Sequence, residues 1–159
     1  MQQMWTPWRM AYIRREKRPG CIFCEMLESG DDRVQLILHR SERAFLVLNK
    51  YPYNNGHLMA VPYRHVDTLE ALTAEEATDM MAEVALGIRA LRRASNPEGF
   101  NIGVNIGKIA GAGVIDHVHT HVVPRWGGDT NFMPVLSDTK VMVEHLDTSW
   151  KRIREGFGA

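Results

Sequence analysis

The chain has 159 residues, 45% hydrophobic and 24% charged, which suits one ordinary globular domain and leaves little room for two. Nineteen Lys and Arg balance nineteen Asp and Glu. That balance argues against a nucleic-acid binder and against an acidic disordered tail, and it still allows a local basic pocket for one phosphorylated small molecule.

Residues 1–20 read as an irregular N-terminal arm anchored by Trp5, Trp8 and Tyr12. The stretch from Met1 to Lys17 lacks the unbroken apolar core of a signal peptide, and no run in the chain approaches the roughly 20 apolar residues that span a bilayer. Ile22 to Leu27 can form a short helix. Val34 to Leu38 and Ala44 to Leu48 read as two strands joined by a polar turn at Arg40–Glu42. Tyr51 to Gly56 is turn chemistry, and Leu58 to Val61 resumes as a strand.

Thr73 opens the longest helix, with Glu76 at capping-box spacing. Ala77, Met80, Met81, Val84, Ile88 and Leu91 follow one face at helical period, and Asn96-Pro97 ends it. Phe100 to Ile106 alternates as a strand, Gly107 to Gly113 is a Gly/Ala-rich loop, and Val118 to Val123 is a strand closed by Pro124. Val141 to Ile153 can form a final helix. Meandering strands, one long helix, two more strands and a C-terminal helix make an α+β fold with an antiparallel sheet of about five strands.

The most informative segment is His117-Val118-His119-Thr120-His121-Val122-Val123. Side chains alternate along a strand, so His117, His119 and His121 share one face and Val118 and Val122 the other. Three imidazoles in a row are poor core material, because each has two ring nitrogens to satisfy and the three repel one another when protonated. Two chemistries remain. Neighbours at i and i+2 can converge on a zinc ion. Alternatively, one imidazole attacks phosphorus while its neighbours donate to phosphate oxygens. The preceding loop, Gly107-Lys108-Ile109-Ala110-Gly111-Ala112-Gly113, favours the second, since small residues let backbone N–H groups approach an anion and Lys108 adds charge.

Cys21 and Cys24 are too few and too close for a disulfide framework, so a reducing, cytoplasmic setting is expected. Their C-x-x-C spacing is half of a zinc site. A redox pair of the thioredoxin type would follow a strand, and none precedes Cys21. A pair of reduced, buried thiols is the remaining reading.

His117 to Val123 resembles the H-x-H-x-H-x-x signature of the histidine triad family, with Thr120 a mild departure. Asn49, Gly56-His57-Leu58, Pro62-Tyr63-Arg64-His65 and Pro124-Arg125 match further positions in order, so the resemblance spans roughly Cys21 to Arg125. The segments Trp5 to Tyr12 and Arg125 to Phe132 resemble the bacterial diadenosine tetraphosphate phosphorylase branch.

The resemblance implies a histidine triad domain over residues 21–135, with residues 136–159 as a helical tail packed on it. It implies that His119 attacks the α-phosphorus of an adenine nucleotide or dinucleoside polyphosphate and forms a covalent nucleotidyl-histidine. Phosphate or water then releases the nucleotide. His121 donates to phosphate oxygens, Asn49 meets the ribose, and Lys108, Gly111 and Gly113 form the phosphate loop. His57 is a possible neighbour of the ligand. The resemblance also implies a structural zinc held by Cys21, Cys24, His65 and His117, and a homodimer. Many relatives carry Ser, Thr or Gln in the loop before the triad, and residues 107–116 here have none. Trp126 could form a flap, stack on the adenine, or simply be buried in its loop. His39 and His145 receive no role.

Overall fold

The computed structural model describes residues 20–129 and 142–158. The expected anchors Trp5, Trp8 and Tyr12, the segment 130–132 and Val141 lie outside them. The described elements are α1 (Ile22–Glu28), β1 (Ile37–Arg40), β2 (Ala44–Leu48), β3 (Leu58–Pro62), α2 (Ala74–Ser95), β4 (Gly99–Val104), β5 (Thr120–Arg125) and α3 (Leu146–Glu155). The strands form one antiparallel sheet in the order β1-β2-β3-β5-β4. The α+β architecture read from the sequence is therefore the one observed. No helix among the described residues is long and apolar enough to cross a membrane.

Every residue of β2 and β3 is buried, because both faces of the central sheet are covered. Ala44, Leu46, Leu48, Leu58, Ala60 and Val122 face one side and pack with Met80, Val84, Ala90 and Leu91 of α2 and Ile153 of α3. Phe45, Val47, Met59 and Val61 face the other and pack with Phe23 of α1 and Ile37. The two clusters interleave along the same strands, as a period of two requires.

The α2 helix begins as its sequence predicts. The Thr73 hydroxyl accepts from the Glu76 N–H while the Glu76 carboxylate accepts from the Thr73 N–H. Its end is set by Asn96 in the left-handed region at φ 45°. The buried stripe differs from expectation: Ala77 and Ile88 are only half-buried, and Met81 departs furthest. Met80 is buried but Met81 is 55% exposed, and Glu83 and Gly87 complete the inward face. Gly87 lets the helix approach the sheet, since a Cβ there would sit 3.0 Å from Leu46 Cδ2 and 3.1 Å from Leu58 Cδ1. Trp150 of α3 donates its indole N–H to the Ile37 carbonyl at 3.0 Å and fastens that helix to β1.

Several strand boundaries move: β1 extends to Arg40, into the expected turn, and β5 continues through Pro124, the expected stop, to Arg125, with Pro124 paired to Phe100. β1 starts at Ile37 rather than Val34, because residues 32–36 form turns held by Asp31 and Asp32, and Leu36 takes a positive φ of 62°. β4 runs from Gly99 to Val104 and stops before Ile106. β5 starts at Thr120, so His117 to His119 approach the sheet as an extended lead-in, with the Val118 N–H donating to Val66 O. α3 starts at Leu146, later than Val141.

Candidate active site

The register of β5 decides which face receives the histidines. His121 pairs with Met59 and Val122 with Leu58, so His121 joins the Phe23 face and Val122 the helix-covered face. His119 lies on the same side, its ring centroid 4.8 Å from that of His121 and 5.1 Å from that of Phe23. His117 comes next, 5.4 Å from Phe23. The alternation read from the sequence thus brings the three rings together even though regular pairing begins only at Thr120.

Main-chain groups fix where each ring carries its proton. A carbonyl can only accept, so His119 Nδ1, 2.9 Å from the His117 carbonyl, is a donor. Burial pushes the His119 pKa down, so the ring is neutral and Nε2 keeps a free electron pair. His117 Nε2 likewise donates to the Pro62 carbonyl at 2.9 Å, which leaves Nδ1 unprotonated. A backbone N–H can only donate, so His57 Nδ1, which receives the Tyr53 N–H at 3.0 Å, carries no proton. His57 Nε2 therefore donates to His121 Nδ1 at 2.9 Å, and the His121 proton must sit on Nε2. The result is a free electron pair on His119 beside an N–H on His121.

Both rings line a cavity of about 520 Å³, a size ordinary for a small-molecule site. Ile22, Phe23, Met26, Leu36 and Leu48 form an apolar part of its wall. Asn49, Lys50, Lys108 and Gly113 add polar groups, and Asn49 is oriented by the Tyr51 N–H, which donates to its Oδ1 at 2.8 Å. His57 and Gly111 are not on this wall. His57 is fully buried behind His121, with Tyr53 stacked on it at 4.7 Å. Gly111 serves a turn at φ 86°. Trp126 is pinned through its indole N–H to the Ser95 carbonyl at 3.1 Å, at the end of α2.

Cys21, Cys24, His65 and His117 offer ligand atoms that all lie within 4.8 Å of one another. His117 Nδ1 is 3.3 Å from Cys21 Sγ and 3.8 Å from Cys24 Sγ, and His65 Nδ1 is 3.5 Å from Cys24 Sγ. Tetrahedral zinc, with bonds of roughly 2.3 Å to sulfur and 2.0–2.1 Å to nitrogen, sets such atoms about 3.6 Å apart. The donor set and its spacing therefore fit zinc, and Pro62 supplies the outer hydrogen bond that keeps His117 Nδ1 free to ligate. The three triad rings do not form such a group among the described residues.

The HIT domain model matches residues 33–128. The chain belongs to the HIT-domain family. The AP-4-A phosphorylase of Mycobacterium tuberculosis is 42% identical over 155 residues, covering 92% of this chain and 79% of that protein. An adenosine 5'-monophosphoramidase of Schizosaccharomyces pombe is 30% identical, covering 67% of this chain and 74% of its own. A zinc-bound histidine triad family protein of Mycobacterium smegmatis superposes with a TM-score of 0.71 at 25% identity, covering 87% of this chain and 94% of that one.

Several residues around the HIT site carry no motif of their own. Phe23 touches His117 and His119 from between the two cysteines, and its signal in the sequence is that position alone. Tyr53 and Pro62 act through main-chain atoms, which any residue but proline offers in the first case and every residue in the second. Gln35 and Asp116 also line the cavity, and no pattern in the sequence marks them.

Proposed function

We propose that the protein is a nucleotidyl transferase of the diadenosine tetraphosphate phosphorylase type, acting on the α-phosphate of dinucleoside polyphosphates. The observation that carries this reading is the proton arrangement in the cavity: a neutral His119 with Nε2 free, next to His121 with Nε2–H. The identity to the M. tuberculosis AP-4-A phosphorylase supports the substrate class.

His119 Nε2 attacks the α-phosphorus, a P–N bond forms, and the bridging P–O bond breaks. The leaving nucleoside triphosphate takes the electron pair, and His121 Nε2–H donates a hydrogen bond to the oxygens where charge accumulates. The His117 carbonyl steadies the proton on His119 Nδ1 as positive charge builds on that ring. Phosphate then attacks the nucleotidyl-His119, and the P–N bond breaks to give a nucleoside diphosphate. Starting from diadenosine tetraphosphate, the products are ATP and ADP. Asn49 meets the ribose, the apolar wall takes the base, and the main chain at Gly113 approaches the phosphate oxygens. His57 acts at one remove, by orienting His121.

Cys21, Cys24, His65 and His117 would hold a structural zinc as four protein ligands, a reading supported by the ligand spacing and by the zinc-bound relative. It supplies cross-linking between the N-terminal segment and the lead-in to β5, not reaction chemistry. The reading further takes residues 21–135 as the catalytic domain and residues 136–159 as its tail. It takes the working protein as a cytoplasmic homodimer that binds neither nucleic acid nor membrane.

The test is a nucleotide panel incubated with and without inorganic phosphate, with products identified. ADP plus ATP from diadenosine tetraphosphate, formed only with phosphate, is expected. AMP plus ATP at a rate independent of phosphate would make the enzyme a hydrolase and defeat the phosphorylase reading.

A further inference from the structure

The loop between β4 and β5 borders the cavity through Lys108, Ala112, Gly113, Val114, Ile115 and Asp116. From residue 107 to 116, Lys108 and Asp116 are the only polar side chains. Lys108 makes no ion pair and no side-chain hydrogen bond among the described residues, Asp116 included. The wall also carries Lys50 and Glu25 on other segments. Lys108 is thus the one cation that this loop offers to whatever approaches His119, and the loop itself has no hydroxyl or amide side chain to compete with it.

The charge of that group has a consequence for the second half of the reaction. A nucleotidyl-His119 can be attacked by water or by phosphate. A neutral donor would favour neither strongly. An ammonium leaves water nearly unaffected but attracts a hydrogen phosphate dianion, and Lys108, being exposed, acts through a long-range attraction that salt screens. We propose that Lys108 is the specificity-determining residue for the acceptor, and that it directs the intermediate toward inorganic phosphate and away from water. This rests on the nucleotidyl-His119 reading above and adds the residue that selects the acceptor.

In the favoured step an oxygen of hydrogen phosphate bonds to the α-phosphorus, the P–Nε2 bond breaks, and its electron pair returns to His119. The product is a nucleoside diphosphate that keeps the phosphate's proton. In the competing step a water oxygen forms the new bond and releases one proton to solvent, and the product is a nucleoside monophosphate.

The experiment measures the ADP-to-AMP ratio from diadenosine tetraphosphate at fixed phosphate, in single turnovers with enzyme in excess. Both products arise from one intermediate, so differences in folded fraction or in donor binding cancel in the ratio. Lys108→Ala and Lys108→Gln are expected to lower the ratio about tenfold, and Lys108→Arg to restore most of it. Added potassium chloride should lower the wild-type ratio and leave that of Lys108→Gln almost unchanged, because a screened attraction fades with salt. An unchanged ratio in Lys108→Ala and Lys108→Gln overturns the proposal, whatever happens to the overall rate. Failure of these variants to form either product also overturns it, since Lys108 would then act before the acceptor enters. A wild-type protein that makes AMP and no ADP at any phosphate concentration defeats the phosphorylase reading itself, a result separable from the other two.

Discussion

The two faces of the sheet are built by the same strands on opposite principles. On the helix-covered face, Leu46, Leu48, Leu58, Ala60 and Val122 meet Met80, Val84 and Leu91 with almost no polar group between them. Glu83 is the exception, buried there with His39 Nδ1 at 2.8 Å from its carboxylate, and burial pushes its pKa up. On the opposite face the apolar set of Phe23, Phe45, Val47, Met59 and Val61 is continued by histidines whose nitrogens are assigned to particular main-chain partners. The first face needs apolar volume at native density, which several residue types supply. The second needs donors and acceptors of fixed sense, because a buried nitrogen without its partner costs about 1–3 kcal/mol. Stability is therefore spread over the first face, and reactivity is concentrated on the second.

The sharpest way to separate the faces is His119→Ala. On the proposed mechanism it removes the nucleophile and is expected to lower turnover by about 10⁴-fold or more, with no nucleotidyl-protein detectable by mass spectrometry. Cys24→Ser attacks the histidine-bearing face at its metal-compatible edge. Bound zinc, measured by elemental analysis, should fall from about one per chain to near zero, with a loss of roughly 3 kcal/mol or more in chemical denaturation. On the helix-covered face, Leu46→Ala should cost about 2–5 kcal/mol of stability while kcat per folded molecule stays at the wild-type level. A large fall in kcat for Leu46→Ala would break the comparison.

Smaller effects sharpen it. His57→Phe keeps a ring against Tyr53 but removes the donor to His121, so kcat should fall about 10–100-fold with KM little changed. The Arg64 guanidinium, aided by the Thr73 N–H, holds the Glu76 carboxyl down to about 2. A depressed carboxyl stabilises the fold fully above its unfolded value of about 4.3, and that contribution is lost as pH falls through about 2. Glu76→Gln should therefore flatten the acid limb of the stability profile between those values, as read by denaturant midpoints at successive pH, without altering turnover at neutral pH.

The sequence was most legible where side chains alone determine structure. The histidine alternation, the capping box at Thr73 and Glu76, and the apolar strands β2 and β3 all emerge as read. It was least legible where the main chain decides. Val34 and Leu36 look like strand residues, yet carboxylate-anchored turns and a positive φ delay β1 to Ile37. Met81 fits a helical stripe by spacing, but the α2 helix turns Glu83 and Gly87 inward and leaves Met81 in water. His57 adjoins the nucleotide motif, and only the Tyr53 N–H reveals that it works behind His121. The Cys-x-x-Cys pair is half a site in sequence, and its other half lies 41 and 96 residues away.

His117 belongs to both the cysteine cluster and the triad on the histidine-bearing face. Its ring closes the cysteine cluster and grips Pro62, while its carbonyl holds the proton of His119, the proposed nucleophile. Any loosening of the N-terminal segment that drags on this ring also tilts the carbonyl on which the nucleophile's orientation depends. On the proposed mechanism, slackening of the scaffold and misplacement of the reactive ring therefore go together. Ageing, chelation or a cysteine lesion would convert molecules one by one from competent to silent, and a fading preparation would lose active sites rather than slow each of them.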